Sequence, residues 1–144
     1  MRLQKKATDP AREAFQKAVD ADEKLVEAQV ELGTLAAQQS QWPDAVKHLD
    51  IALQLDPVDS PRAWFMDAVA EFNMKNLDGA EKRARQALKM DPGHTNPDAN
   101  RLLGLVLATK GNLSEAAVEL KTCLDLVPPD TANLAQVKGQ LAEI

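Results

Sequence analysis

One pattern of small residues and prolines recurs along the chain at a nearly constant interval. Its steps of 35 and then 36 residues connect four series: Gly33, Ala68 and Gly104; Ala45, Ala80 and Ala116; Ala52, Ala87 and Cys123; Pro57, Pro92 and Pro128. A step of 34 residues back from the second and third series reaches Ala11 and Ala18. Intervals of this length are typical of solenoids, in which each unit stacks on its neighbours. The sequence therefore predicts stacked copies of one structural unit.

The residue types in the pattern favour paired helices. Gly, Ala and Cys let two helix axes approach closely, whereas a larger side chain would separate them. Larger apolar residues lie between the small ones, and Phe15, Leu49 and Leu120 share one register. The chain of 144 residues is 44% hydrophobic but only 3% aromatic, which disfavours a β-sheet. We expect an all-α fold.

Capping residues and prolines indicate where the helices begin and end. Polar residues that precede a proline are candidate caps: Asp9, Ser60 and Asn96. Gly111 and Lys75-Asn76 suit tight turns, and the prolines of the fourth series end helices. The expected helices span about 10–21, 24–39, 43–55, 61–74, 77–90, 97–110, 113–126 and 130–143. The last helix is expected to be a cap, with one apolar stripe formed by Leu134, Val137, Leu141 and Ile144.

These units resemble the tetratricopeptide repeat family. The matching stretches run from Leu32-Gly33 to Asp56-Pro57, from Trp64 to Asp91-Pro92 and from Leu103-Gly104 to Pro128. The resemblance implies a single domain over residues 1–144, a right-handed α-α superhelix of about eight antiparallel helices. Three full repeats at about 24–57, 61–92 and 97–128 would follow a half repeat at 10–22 and precede a capping helix at 130–143.

The family's first helices line a concave groove that commonly binds peptides or helices of other proteins. Carried over by register, the groove residues expected here are Val30, Thr34, Gln38, Arg62, Phe65, Met66, Val69, Asn73, Arg101, Leu105 and Thr109, with Glu27 and Asp98 at its flank. Family members that hold chaperone C-terminal tails use a Lys/Asn/Asn/Lys/Arg set. The matching positions here are Val30, Thr34, Met66, Asp98 and Leu102, so chaperone tails are disfavoured as partners.

Two arginines of the expected groove allow two interpretations. Arg62 and Arg101 lie on adjacent first helices and could both face one acidic group of a bound peptide. Alternatively they are solvated and paired with Asp98 or Glu71.

The first helix of the middle repeat departs from its neighbours. Asp67 and Glu71 fall where aligned first helices are apolar. Two buried unpaired carboxylates would cost several kcal/mol, so the sequence predicts a helix turned by roughly 100° that leaves both acids in solvent. Phe65 and Val69 would then be core residues, and Met66, Ala70 and Asn73 would face the groove.

Little in the sequence indicates a catalytic or metal-binding site. His48 and His94 are expected at the surface without triad or metal-ligand spacing, and Cys123 is expected to be a buried thiol. No catalytic residue, metal or cofactor is therefore predicted. The net charge of −5 disfavours nucleic acid, and Lys82, Arg83, Arg85 and Lys89 are interpreted as a solvated outer face.

Two functions from different classes remain. The first is a non-catalytic scaffold that presents the groove to a peptide, a helix or a neighbouring domain of unknown identity. The alternative is a structural segment of a longer solenoid, acting in spacing or self-association. The isolated second helix at the start would expose an apolar edge, covered by an upstream helix or by another copy of the chain. No signal peptide or membrane span is recognisable, so a cytoplasmic location is the default expectation.

Overall fold

The computed structural model describes residues 2–22, 24–57, 61–127 and 132–144, with side chains from residue 10 onward except at 132–134. The described residues form eight α-helices and no strand. The helices are α1 Arg2–Ala21, α2 Val26–Gln38, α3 Trp42–Leu55, α4 Pro61–Asn73, α5 Leu77–Lys89, α6 Pro97–Thr109, α7 Leu113–Leu126 and α8 Ala132–Ala142. The expected all-α class is confirmed.

The helices stack as successive antiparallel pairs in a right-handed superhelix. The closest partners are α2 with α3, α4 with α5 and α6 with α7, and each pair packs on the next through its second helix. The first helices of the pairs, α2, α4 and α6, also contact one another in order. They therefore form one continuous face of the solenoid.

The small residues of the repeat lie where the helices of a pair come closest. Ala45, Ala80 and Ala116 have no exposed surface. A Cβ added to Gly33 would lie 2.5 Å from Cγ of Leu49, and one added to Gly104 would lie 2.9 Å from Cγ of Leu120. Glycine at these positions is required by the close approach of the second helix.

The turns and caps follow the expected punctuation. Ser40, Lys75 and Gly111 close the three hairpins at one register with φ of 58°, 64° and 91°. The side chain of Asn96 accepts a hydrogen bond from the backbone N–H of Asp98 at 3.2 Å and so caps α6. The expected cap at Ser60, the break at Pro128 and the side chain of Leu134 lie outside the described residues.

The expected start of α1 at Pro10 is wrong. The helix begins at Arg2 and carries Pro10 in its interior. Residues 2–7 read RLQKKA and consist of good helix formers, which favours a helix that continues past the hydrogen bond lost at proline.

The expected rotation of α4 is also wrong. Asp67 is 0% exposed and Glu71 is 6% exposed, and Ala70, expected in the groove, is fully buried. The two acids tolerate burial because Arg83 of α5 reaches both of them. Its Nε donates to Oδ2 of Asp67 at 2.8 Å, and its Nη2 lies 3.7 Å from Oε1 of Glu71. Because both acids have a basic partner, their burial does not require α4 to turn away from the register of its neighbours.

Asp50 of α3 completes a charge cluster of four residues, Asp50, Asp67, Glu71 and Arg83. Nη2 of Arg83 donates to Oδ1 of Asp50 at 3.3 Å, and Asn76 donates to Oε2 of Glu71. Burial raises the pKa of Asp67 to about 8, the neighbouring Asp50 carboxyl adds to the rise, and Arg83 opposes it. Asp67 therefore keeps its proton at neutral pH.

The raised pKa of Asp67 predicts a pH-dependent stability. A carboxyl with a pKa raised from 3.8 to about 8 binds a proton in the folded state that the unfolded state releases. Its stabilising contribution is therefore complete below about pH 4 and is lost as pH rises to about 8. Urea denaturation of the wild type and of Asp67→Asn should show this as a difference that declines by on the order of a few kcal/mol and levels off above pH 8.

The comparison with Asp67→Asn isolates this one group. Burial lowers the pKa of His48, which makes stability rise with pH and so acts in the opposite direction. Both proteins contain His48, so its effect cancels in the difference. A difference that does not change between pH 4 and pH 8 would show that Asp67 is ionised in the folded protein.

Candidate peptide-binding groove

The face formed by α2, α4 and α6 contains the residues expected in the groove. Each helix contributes side chains at the same three registers, which occupy i, i+4 and i+8 along the helix. The first register holds Val30, Phe65 and Arg101. The second holds Thr34, Val69 and Leu105, and the third holds Gln38, Asn73 and Thr109.

Four of these residues meet in a cleft of about 220 Å³ between α4 and α6. The lining residues are Phe65, Val69, Asp98, Arg101, Leu102 and Leu105. Phe65 and Val69 are half-buried and pack against the core that Leu102 and Leu103 form with their neighbours. The cleft is thus apolar at its base, with one acidic and one basic residue beside it.

The two arginines of this face have different partners. Nη1 of Arg62 donates to Oε1 of Glu31 at 3.0 Å, so a carboxylate neutralises it. Arg101 instead donates from Nε to Oε1 of Gln140 and from Nη2 to Oε1 of Gln136, each at 3.1 Å. The expected pairing with Asp98 or Glu71 is wrong for both arginines, because long-range partners from α2 and α8 reach them first.

The positive charge of Arg101 has no carboxylate partner within the described part of the chain. Both of its hydrogen-bond acceptors are neutral amides. Asp98 lines the same cleft but forms no ion pair with it among the described residues. The two amides hold the guanidinium in place without neutralising it.

The other expected groove residues differ in how accessible they are. Thr34 is only 5% exposed, and its hydroxyl donates to the carbonyl oxygen of Val30 at 2.8 Å. Val30 and Met66 are half-buried against the core around Leu49. Exposed residues of this face are Gln38, Arg62, Asn73 and Thr109. Of the first repeat, therefore, Gln38 and the flanking Glu27 offer exposed side chains to a ligand.

The histidines and the cysteine do not form a reactive site. His48, expected at the surface, is half-buried, and its Nδ1 lies 2.8 Å from Oε1 of the buried Gln29. His94 is exposed as expected. Cys123 is fully buried as expected, and burial raises the pKa of its thiol. Among the described residues no group of three or more potential ligands could hold a metal ion.

The basic residues of α5 are not all solvated. Lys82 and Lys89 are exposed as expected, and Arg85 bridges Glu81 and Glu115 at the surface. Arg83 differs, because it belongs to the charge cluster. None of the described helices has the length and apolar character that a transmembrane segment requires.

Sequence reasoning missed the residues that decide which arginine is accessible. Glu31 is 31 residues from Arg62, and Gln136 and Gln140 are 35 and 39 residues from Arg101. A separation near the repeat length could have identified these partners, since it places two residues on neighbouring first helices. Asp67 and Arg83, 16 residues apart, share the separation of Gly33 and Leu49 within one hairpin.

Comparisons with known proteins address the family and the fold. Two models of the tetratricopeptide repeat match the chain, one over residues 2–60 and 30–95 and the other over residues 72–141. A search of curated proteins by sequence gave no significant match.

Solved structures with the same arrangement of helices include that of MamA. One crystal structure of MamA has a TM-score of 0.83 and 24% identity, and the alignment covers 99% of this chain and 81% of that one. MamA from Desulfovibrio magneticus RS-1, from residue 41 to the end, has a TM-score of 0.75, 18% identity and coverage of 86% and 68%. The Arabidopsis OM64 TPR domain has a TM-score of 0.72, 22% identity and coverage of 82% and 94%. At these identities the likeness concerns the fold.

Proposed function

The chain belongs to the tetratricopeptide repeat family, and on that premise we propose that it is a non-catalytic scaffold whose groove binds a segment of a partner protein. The segment carries a bulky apolar side chain, which enters the cleft between α4 and α6. A carboxylate next to that side chain binds Arg101. The observation that carries this proposal is a cationic guanidinium, held by two neutral amides, at the edge of an apolar cleft.

The size and lining of the cleft support a side chain as its occupant. Its volume of about 220 Å³ is below the range of about 300–1,000 Å³ that is usual for small-molecule sites. Four of its six lining residues are apolar, namely Phe65, Val69, Leu102 and Leu105. A single apolar anchor in a pocket with a polar rim is the usual core of a peptide interface.

The charges beside the cleft support an acidic neighbour for that anchor. Arg62 offers no free charge because Glu31 neutralises it, so the idea of two arginines sharing one acid is replaced by Arg101 alone. A charge-assisted hydrogen bond to a guanidinium is directional and stronger than a neutral one. The absence of basic residues at Val30, Asp98 and Leu102, where the tail-binding set has Lys, Lys and Arg, continues to disfavour chaperone tails.

The groove predicts different effects for two arginine substitutions. Peptides are first selected from a random array by the intact protein. Arg101→Ala should lower the affinity for the selected peptides roughly tenfold or more, because it removes a charge-assisted hydrogen bond. Arg62→Ala, a matched control on the neighbouring first helix, should change their affinity by less than about twofold, because Arg62 is already paired. Fluorescence anisotropy at low salt measures both.

The selected sequences test the proposal independently of the variants. They should share an apolar residue next to Asp or Glu. Leu105→Arg, which fills the cleft, should abolish binding, while thermal unfolding followed by circular dichroism verifies that the variants are folded. Equal losses from Arg62→Ala and Arg101→Ala, or array hits without acidic residues, would count against the site.

A further inference from the structure

Helix α8 continues the row of first helices that forms the groove. It packs on α7 as α4 packs on α3 and as α6 packs on α5. Gln136 lies one repeat after Arg101 and extends the first register of the groove, and Gln140 lies one repeat after Leu105 and extends the second. Val137, between the two glutamines, is fully buried. The helix therefore presents two glutamine side chains at registers that face the groove in the preceding repeats.

The apolar cleft between α4 and α6 is followed by a polar contact between α6 and α8. In the cleft, the first register contributes Phe65 from α4 and Arg101 from α6. One helix further, it contributes Arg101 from α6 and Gln136 from α8, and Gln140 lies one turn along α8. Both glutamines accept hydrogen bonds of 3.1 Å from the guanidinium. We call Arg101, Gln136 and Gln140 the polar site.

The chemistry of arginine fixes the orientation of both amides. A guanidinium has five N–H donors and no acceptor, so each amide turns its oxygen towards Arg101 and keeps both N–H groups of Nε2 for another partner. The two bonds to Gln136 and Gln140 leave the other N–H groups of the guanidinium without an acceptor in the described part of the chain. The polar site therefore offers hydrogen-bond donors and no free acceptor to a ligand.

The exposure and charge of the polar site suit a carboxylate. Gln136 is exposed, and Arg101 and Gln140 are half-buried, so a ligand can reach all three side chains. A carboxylate accepts at two oxygens and carries one negative charge, which matches the single guanidinium. A phosphate monoester carries a charge of about −1.5 to −2 near neutral pH and would retain an excess of negative charge there. Charge and donors together favour the carboxylate.

We propose that Gln136 and Gln140 are ligand-binding residues that, together with Arg101, hold the carboxylate of an Asp or Glu side chain of the partner segment. Their amide N–H groups donate to the carboxylate beside the N–H groups of the guanidinium. The inference rests on the proposed function, because it names the residues that receive the acidic neighbour of the apolar anchor. It also makes α8, expected only as a cap, a fourth helix of the binding surface.

The neighbouring arginine shows why neutral amides matter at these positions. Glu31 accepts a hydrogen bond from Arg62 at 3.0 Å and neutralises its charge. Gln140→Glu would place a carboxylate beside Arg101 in the same way and would also repel the carboxylate of the ligand. Gln140→Met keeps the length of the side chain and the charge of Arg101 but removes the amide donors. The two variants therefore separate the charge of the site from its donors.

Acetate tests the polar site without any peptide, because it carries a carboxylate and no anchor. Titrated against chloride at constant ionic strength, acetate should shift the NMR signals of the Arg101 Nε–H and of the side-chain amides of Gln136 and Gln140. The shifts should disappear in Gln140→Glu and persist in Gln54→Glu, which adds the same charge at an exposed position on α3. Inorganic phosphate should give smaller shifts. Shifts confined to Arg101, larger shifts with phosphate, or no shift would each overturn the proposal.

Two peptides that differ in one residue test the partner segment. Both have Leu in a background of Ser and Ala, followed by Glu in one and by Gln in the other. Fluorescence anisotropy should show that the wild type binds the Glu peptide about tenfold more tightly. This preference should be lost in Gln140→Glu, fall by about threefold or more in Gln140→Met and remain in Gln54→Glu. Circular dichroism verifies that the variants are folded.

The same measurements separate this inference from the proposed function. If Arg101→Ala removes the preference for Glu while both Gln140 variants keep it, Arg101 acts alone and only this inference is overturned. If Arg101→Ala keeps the preference as well, the proposed function fails too. If the wild type binds neither peptide, the proposed function fails, and the acetate shifts alone decide whether Arg101, Gln136 and Gln140 form a carboxylate site.

Discussion

Arg83→Ala should lower the free energy of unfolding by about 3–5 kcal/mol, because it removes the only base of the charge cluster and leaves acids buried without it. Arg83 contacts Asp50 of α3 and both Asp67 and Glu71 of α4, and its own side chain is 21% exposed. Without the guanidinium, Glu71 keeps its hydrogen bond from Asn76, whereas no hydrogen bond from a described residue reaches the buried carboxyl of Asp67. Guanidinium chloride denaturation, followed by circular dichroism, measures the loss.

Two comparisons decide whether the loss comes from buried charge. Arg85→Ala, two residues further along α5, removes two surface ion pairs and should cost less than about 1 kcal/mol. The triple variant Asp67→Leu, Glu71→Leu, Arg83→Met replaces the cluster with apolar residues, as Leu103 and Leu107 already do in the third repeat. It should recover most of the stability lost in Arg83→Ala. Equal losses from Arg83→Ala and Arg85→Ala would contradict a structural role for the cluster.

The cluster shows where sequence reasoning failed and why. The position of Asp67 and Glu71 in apolar registers was correctly identified from the repeat, since register depends only on spacing. Their burial could not be judged without a partner. The spacing of Arg83 with Lys82, Arg85 and Lys89 on one helix, with Glu81 among them, predicts a solvated face and so hides that partner. Charge runs are classified by their neighbours along the chain, whereas the hydrogen bond from Arg83 to Asp67 joins residues that are 16 apart.

The all-α repeat fold could be predicted from the sequence because the small residues that determine helix packing recur in each repeat. Small residues at Gly33, Ala45 and Ala52 return in the next two repeats, so an error at one position is corrected by the others. The start of the chain has fewer copies to align with, and an expectation failed there as well as in α4. The predicted start of α1 at Pro10 is wrong, because the helix begins at Arg2.

The groove could be predicted from the sequence only in part. Register predicted which side chains lie on the face of α2, α4 and α6, and Phe65, Val69, Arg101 and Leu105 do meet in one cleft. Whether a polar side chain on that face is available depends on partners from neighbouring repeats. Glu31 neutralises Arg62, while neutral amides from α8 bind Arg101. A single repeat contains no information about those partners.

Leu49→Ala should lower the free energy of unfolding by about 2–5 kcal/mol, since it deletes a fully buried side chain that fills the notch at Gly33. Gly33→Ala should also destabilise, by about 1–3 kcal/mol, because the new Cβ would lie 2.5 Å from Cγ of Leu49. These two changes affect the same space from opposite sides. They should therefore be strongly non-additive in a double-mutant cycle.

In the Leu49→Ala background the sign of Gly33→Ala should reverse. The colliding atoms are gone, and among the nearest contacts only the carbonyl oxygen of Ala45 remains, at 3.3 Å, so the gain in helix propensity of about 0.5–1 kcal/mol is largely restored. Gly139→Ala is the matched control, because the same change at a glycine with open space around the added Cβ should stabilise the protein by a similar amount. If Gly33→Ala were equally unfavourable in both backgrounds, backbone conformation, and not the approach of α3, would determine glycine at this register.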